Sequence, residues 1–260
     1  MPPLKSILVM AERSSDAQAA LQKAFVIARH FDARIELVAC DAEQAWTARL
    51  PTRADEGLEA RAARDLDSRR YLDALRSTVL ADDLQIQAGA DCEGPLHEGL
   101  SRRVRAAGHQ LVVKRLPRRE GRRRPALTPA DWQVIRACPV PIMLTRGRPW
   151  RPLPRFVANV DDGAPGEVVE VARYLAEGCH GDFEVVHANT NAGGNGTAAT
   201  PGRDAAPALA AVAPSHEIDV VVLRACGHGP EQDAARIALT EKIVEQLDCD
   251  VLLMPRARPH

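Results

Sequence analysis

Neither sign of charge dominates the 260-residue sequence: 34 Lys and Arg stand against 35 Asp and Glu, a formal net charge of −1. A chain so balanced has no overall field with which to coat a polyanion, so nucleic acid is not an expected partner. No apolar stretch approaches the roughly 20 residues needed to cross a bilayer. The opening MPPLKSILVM runs straight into a strand-like segment, without a signal-peptide apolar region and cleavage site. The expectation is a cytoplasmic protein with no membrane insertion. Six cysteines (Cys40, Cys92, Cys138, Cys179, Cys226 and Cys249) occur without a Cys-x-x-Cys pair, most of them in or beside apolar runs. Reduced core thiols are therefore expected rather than disulfides. No Ser/His/Asp constellation, carboxylate pair or P-loop emerges, so neither catalysis nor a cofactor is expected.

What the sequence does contain is an apolar content of 45%, typical of a globular protein, in a length that suits one large domain or two ordinary ones. The run SILVMAE (6–12) has strand length and is followed by Ser14 and Ser15 as helix-capping candidates. Apolar residues then recur at Ala17, Leu21, Ala24, Phe25 and Ala28, which predicts a helix with one face on a core. Strands and helices alternate through the first half: 6–11, 15–31, 34–40, 55–81, 84–90, 95–107, 110–115, 128–137 and 141–145. The helix over 55–81 should turn Leu58, Ala62, Leu66, Leu72, Leu75 and Val79 to one side. Near-continuous apolar strands between amphipathic helices imply a parallel sheet covered on both faces, a doubly wound α/β fold. The stretch TRGRPWRPLPR (145–155), with three prolines and no periodicity, marks a boundary. The division expected is 1–148 and 149–260.

The second part repeats the first. RFVANVD (155–161) matches the opening run with Asp161 opposite Glu12, an offset of 149, whereas DVVVLR (219–224) matches QLVVKR (110–115) at an offset of 109. The distance from Leu111 to Ile142 and from Val220 to Val251 is 31 residues in both copies, so the second copy is 40 residues short in its middle. One helix and one strand account for most of that length. In their place stands NTNAGGNGTAATPGRDAA (189–206), which reads as a flexible loop. The missing strand should be the third, at the sheet edge, leaving an exposed strand and an uncovered sheet face.

LTPADWQVIRACPVPIMLTRGRPW (127–150) resembles the end of the first domain of the tandem, E-type universal stress proteins, and VVLRACGHG…LTEKIVEQLDCDVLLMP (221–255) the end of their second. SILVMAERSSDAQAALQKAFVIARHFDARIELV (6–38) resembles the start of such a domain. The resemblance implies, for each copy, a five-stranded parallel sheet of order 3-2-1-4-5, association through the last strands, and a stress-response role. Nucleotide-binding members carry a G-x2-G-x9-G-[ST] loop between the fourth strand and fourth helix, whose backbone N–H groups approach the phosphates. Here the first copy has KRLPRREGRRRPALTP (114–129), and the positions matching the closing Gly-Ser pair are Thr128 and Pro129. Proline suits a first helical position but removes an N–H a phosphate would use. Trp132 just beyond it is expected to be a buried ring rather than a ligand contact. In the second copy Gly227 fits the second glycine, but Arg224, Ile237 and Ala238 replace the others and the hydroxyl. Asp161 matches the strand-1 aspartate that contacts the nucleobase in nucleotide-binding relatives, and Glu12 stands there in the first copy.

Candidate ligand-binding residues are thus Asp161, Gly227, His228, Gly229 and Glu12. The basic loop offers Arg118, Arg119, Arg122, Arg123 and Arg124, with Lys114 and Arg115, as an anion-binding candidate, against the ordinary reading of a solvated loop. Cys226 and His228, with Cys179, His180 or His187, fit no known metal spacing, so no metal site is expected. The sequence therefore predicts a non-catalytic binding or scaffold module with degenerate nucleotide loops. The alternatives are an ATP or AMP switch or weak ATPase in the second copy, and a carrier of an anionic amphiphile or metal in the groove between copies. A homodimer is expected, with a small molecule between domains as a possible ligand.

Overall fold

Strands that are apolar along their whole length must be covered on both faces, and the intervening helices do this. The computed structural model describes residues 3–11, 18–39, 54–78, 83–89, 95–116, 127–160, 165–187, 217–225 and 230–255. The first half comprises β1 (Ser6–Ala11), α1 (Gln18–Phe31), β2 (Arg34–Ala39), α2 (Ala54–Thr78), β3 (Ile86–Ala88), α3 (Leu96–Ala107), β4 (Leu111–Arg115), α4 (Pro129–Ala137) and β5 (Ile142–Thr145). The second comprises β6 (Arg155–Val160), α5 (Pro165–Gly178), β7 (Asp182–His187), β8 (Val220–Arg224), α6 (Pro230–Gln246) and β9 (Asp250–Met254).

The strands form one sheet in the order β3-β2-β1-β4-β5-β9-β8-β6-β7. The first half has the 3-2-1-4-5 order of a doubly wound domain, and the second repeats it with four strands among the described residues. Among the described residues no strand stands in the third position of the second half, and the stretch from 188 to 216, where the 40-residue deficit falls, lies outside them. Residues 189–206 lie outside the described residues. All neighbouring strands are parallel except β5 and β9, which pair antiparallel with Ile142 opposite Leu253, Met143 opposite Leu252 and Leu144 opposite Val251. This junction relates the halves by a pseudo-two-fold axis. On one face α1 and α5 meet beside it, with Phe31 against Tyr174 at 5.0 Å and His30 edge-on to His180 at 5.4 Å between ring centroids. On the other face Trp132 of α4 lies in one buried cluster with Leu239, Ile243 and Val244 of α6.

Local patterns explain most of this. Leu21, Ala24, Phe25 and Ala28 are buried on α1, as their spacing predicts. On α2 Leu72 is buried, but Leu66 is 51% exposed and does not join the face expected of it. A 25-residue helix outruns β3, an edge strand of only three residues, so part of it has no sheet to cover. In the second half, β7 is left partly open as expected of an edge strand, with only Val186 of its six residues buried, whereas Val157 and Asn159 of the neighbouring β6 are buried and close the face there. The reason is the long helix α6, whose Leu239 and Ile243 share a cluster with Val157 and Val186. Cys138, Cys179 and Cys249 are buried free thiols, as expected, and burial pushes them up to about 11, about 12 and about 12 respectively.

Two aspartates hold the junction. Asp250, at the start of β9, accepts from the Arg146 N–H (2.8 Å) and Trp150 Nε1 (2.8 Å) and lies 3.2 Å from Lys23 Nζ of α1. The ammonium also sits 4.4 Å from the Trp150 ring centroid, a cation–π contact. Burial pushes Lys23 down and Asp250 up, each toward its neutral form, and the facing charges oppose that drift. Asp219, at the foot of β8, accepts from the Arg155 N–H (2.9 Å), the Arg151 N–H (3.2 Å) and Arg151 Nε (2.9 Å), with Arg148 at 3.6 Å. The proline-rich connection is thereby fastened to the second half through its arginines and backbone. Replacing one member of a buried pair strands the other. Asp250→Asn should therefore cost about 3–5 kcal/mol in urea unfolding, with part of that loss recovered in the Lys23→Met, Asp250→Asn double variant.

Candidate functional site

In an open doubly wound sheet, ligands bind at the carboxyl ends of the strands where the strand order reverses, between the first and fourth strands of each unit. The chain has two such points, between β1 and β4 and between β6 and β8.

At the first, Thr128 is the N-cap of α4, with Pro129 at the first helical position, as its sequence predicts. The cap is reciprocal. The Asp131 N–H donates to Thr128 Oγ1 (3.1 Å), and the Thr128 N–H and hydroxyl both donate to Asp131 Oδ2, at 2.8 and 2.7 Å. Asp131 Oδ1 is 3.1 Å from Lys114 Nζ at the end of β4, and both side chains are less than a tenth exposed. A carboxylate thus sits in the first turn of this helix, where its dipole favours an anion. The T-x-x-D spacing ahead of an apolar helix is the sequence signal of this capping box, which the pairing of Thr128 with Pro129 alone does not express. Trp132 is 9% exposed, and its Nε1 donates to Glu241 of α6 at 3.2 Å, so the ring links the halves, in keeping with the buried role expected of it.

At the second point, a crevice of about 20 Å³ is lined by Asn159, Val168, Leu223, Arg224, Arg236 and Leu239, among others. Arg224 is 6% exposed; its Nη2 donates to Glu167 at 2.8 Å and its Nη1 to the Pro255 carbonyl at 3.3 Å. Asn159 Oδ1 is buried with no hydrogen-bond partner. Helix α6 begins at Pro230, so Ile237 and Ala238 fall inside it rather than at its start. The N-terminal N–H groups that the matching Gly-Ser turn would supply are absent at these positions, because they are spent on helix bonds. Glu12, Asp161, Gly227, His228 and Gly229, and the loop arginines Arg118, Arg119, Arg122, Arg123 and Arg124, lie outside the described residues, as does Cys226. Cys179 is buried and His180 exposed, on the seam with His30. Among the described residues no group of three or more His, Cys, Asp or Glu is arranged to hold a metal.

The structure also assembles a constellation that the sequence did not reveal. Ser6 Oγ lies 2.8 Å from His109 Nδ1, and His109 Nε2 lies 2.7 Å from Glu36 Oε2. Arg103 Nε donates to Glu36 Oε1 at 2.7 Å, and Arg34 Nε to Ser6 Oγ at 3.1 Å. The order of groups is that of a hydrolase triad, but Ser6 is 2% exposed and its oxygen already accepts from Arg34, so no substrate carbonyl reaches it. The network ties β1, β2, α3 and the start of β4 together. Burial raises the Glu36 carboxyl, but the bonds from His109 and Arg103 outweigh it and hold the group below the ordinary carboxylate range. A depressed carboxylate contributes stability above its unfolded pKa, about 4.3, and loses it as pH falls through the folded value. The chain should therefore lose stability as pH falls below about 4, and Glu36→Gln should flatten that decline in thermal unfolding followed against pH.

A sheet of order 3-2-1-4-5, repeated and joined through its last strands, is the class of protein this architecture defines. The universal stress protein family matches residues 3–146, more than half of the chain, and the chain belongs to that family. Membership makes it a stress-response protein, of a family that is in general non-enzymatic although some members bind ATP. No curated protein matches it. Among solved structures, a universal stress protein from Archaeoglobus fulgidus DSM 4304 aligns with a TM-score of 0.71 at 10% identity, covering 99% of this chain and 100% of that one. A protein assigned to the universal stress proteins from Pseudomonas aeruginosa UCBPP-PA14 aligns at 0.63 and 19% identity, over 97% and 93% of the two chains. A protein of unknown function from Pseudomonas aeruginosa PAO1 aligns at 0.62 and 18% identity, over 97% and 92%. At these identities the alignments show the fold. Among the described residues no helix is long and apolar enough to cross a membrane.

Proposed function

We propose that the chain is a cytoplasmic, non-catalytic binding and scaffold module of the tandem E-type, with copies at 1–148 and 149–260, whose nucleotide loops are degenerate. The observation that carries this reading is the start of α4. The Asp131 carboxylate takes up the Thr128 N–H and hydroxyl and pairs with Lys114, so the groups a phosphate would use are engaged within the chain. The second half supports the same reading through Ile237 and Ala238, which lie inside α6. Each lost hydrogen bond to a charged phosphate costs about 1.5–3 kcal/mol, so losing several removes orders of magnitude in affinity.

A second reading rests on one observation, the buried unpartnered Asn159 Oδ1 beside Arg224 and Arg236. A small anion carrying an O–H or N–H donor suits that crevice, whose volume of about 20 Å³ is that of one or two waters. The pairing of β5 with β9 uses the last strands within one chain, so the homodimer we propose forms through another surface. Native mass spectrometry of the full chain with ATP or AMP at micromolar concentration tests these points together. The expected spectrum is a dimer at twice 28.2 kDa without nucleotide. A nucleotide-bound species overturns the degenerate-loop reading, and a monomer overturns the dimer.

A further inference from the structure

The meeting of α1 and α5 beside the β5–β9 junction brings together one histidine from each half. His30 lies in the last turn of α1, and His180 lies two residues past the end of α5. Both are exposed, and their ring centroids are 5.4 Å apart with planes inclined at 75°. His180 has a backbone φ of 53°, in the left-handed region that a residue with a Cβ seldom takes. Close packing fixes the placement: a Cβ on Gly178 would come within 2.0 Å of Phe31, so only glycine lets the end of α5 approach the end of α1 this closely.

We propose that His30 and His180 form a divalent transition-metal site across the seam between the halves. The separation suits such a site once the rings, which lie edge-on to one another, turn to aim one nitrogen each at a shared ion. With a metal–nitrogen bond of about 2.0–2.1 Å and a ring centre about 1.1 Å further on, two imidazoles at a tetrahedral angle have centroids about 5.2 Å apart. Imidazole suits zinc, nickel and copper over magnesium or calcium. The C-termini of two helices converge here, and each carries a partial negative charge that favours a cation. Lys5 already exploits this, its Nζ lying 3.5 Å from the Phe31 carbonyl and 3.7 Å from Asp32. No third His, Cys, Asp or Glu among the described residues completes the set, so water fills the remaining positions and the ion exchanges readily. A bound ion joins α1 to α5 and stabilises the assembled chain by mass action.

The test uses the full chain and zinc. The nitrogen-15 spectra of the imidazole rings report which side chains bind, and calorimetry reports affinity. One ring nitrogen of His30 and one of His180 should shift together on zinc addition. His30→Gln and His180→Gln should each weaken zinc binding by roughly tenfold or more and abolish the response of the remaining ring. Both residues are exposed, so the variants should keep the parent melting temperature in chelator and lose its zinc-dependent rise. Zinc uptake that leaves both rings unmoved, equal affinity in the two variants and the parent, or no uptake at millimolar zinc overturns the proposal.

Discussion

The contact on which the architecture depends is the buried group formed by Asp250, Lys23, Trp150 and the Arg146 backbone. Two parallel half-sheets end in apolar strands, β5 and β9, that would otherwise be open edges. Pairing them antiparallel closes both edges at once, but strands buried on both faces lose little apolar burial when the register slips by one residue. The aspartate at the foot of β9 takes bonds from the connecting segment and a charge from α1, so one arrangement of the halves brings all four groups together. Asp219 does the same for the rest of the connection. It has a neutral counterpart in the first half, where Gln110 Oε1 accepts from the Lys5 and Ser6 N–H groups at 3.0 and 2.8 Å.

Once the halves are fixed, the fates of their two ligand-binding ends diverge for local reasons. In the first, a capping box and a lysine close the start of a nine-residue helix. In the second, the terminal helix has grown to 17 residues, and the positions that would form its phosphate-binding start lie within it. Both changes convert free N–H groups into satisfied ones. They also strengthen the contact between halves: Trp132 of the short helix bonds to Glu241 of the long one.

The fold was largely legible in the sequence because its signals are strong and local. Unbroken apolar runs mark fully buried strands, the matched spacing of 31 residues in both copies marks the repeat, and the prolines mark the connection. What escaped depends on contacts between distant residues. Leu66 fits the helical periodicity of α2, yet whether a sheet lies beneath it is set by the length of β3. Ser6, Glu36 and His109 are far apart in sequence, and only the parallel pairing of β1 with β2 and β4 brings them together. The capping box is legible in the T-x-x-D spacing of Thr128 and Asp131, which is independent of the match between Thr128–Pro129 and a Gly-Ser turn. Of the candidate site, Thr128, Pro129, Ile237 and Ala238 stand in the sequence where the nucleotide-binding pattern has its Gly-Ser pair, whereas the unpartnered Asn159 Oδ1 depends on contacts made only in the fold.

If the junction governs the structure, the two halves cannot open separately. Native-state hydrogen exchange measures this directly, since each amide reports the free energy of the opening that exposes it. The amides of Ile142–Thr145 and Asp250–Met254 should exchange only with global unfolding, with the same dependence on denaturant as the centre of β1. Exchange of β9 and β5 through a smaller opening, while β1 and β4 stay protected, would contradict the account.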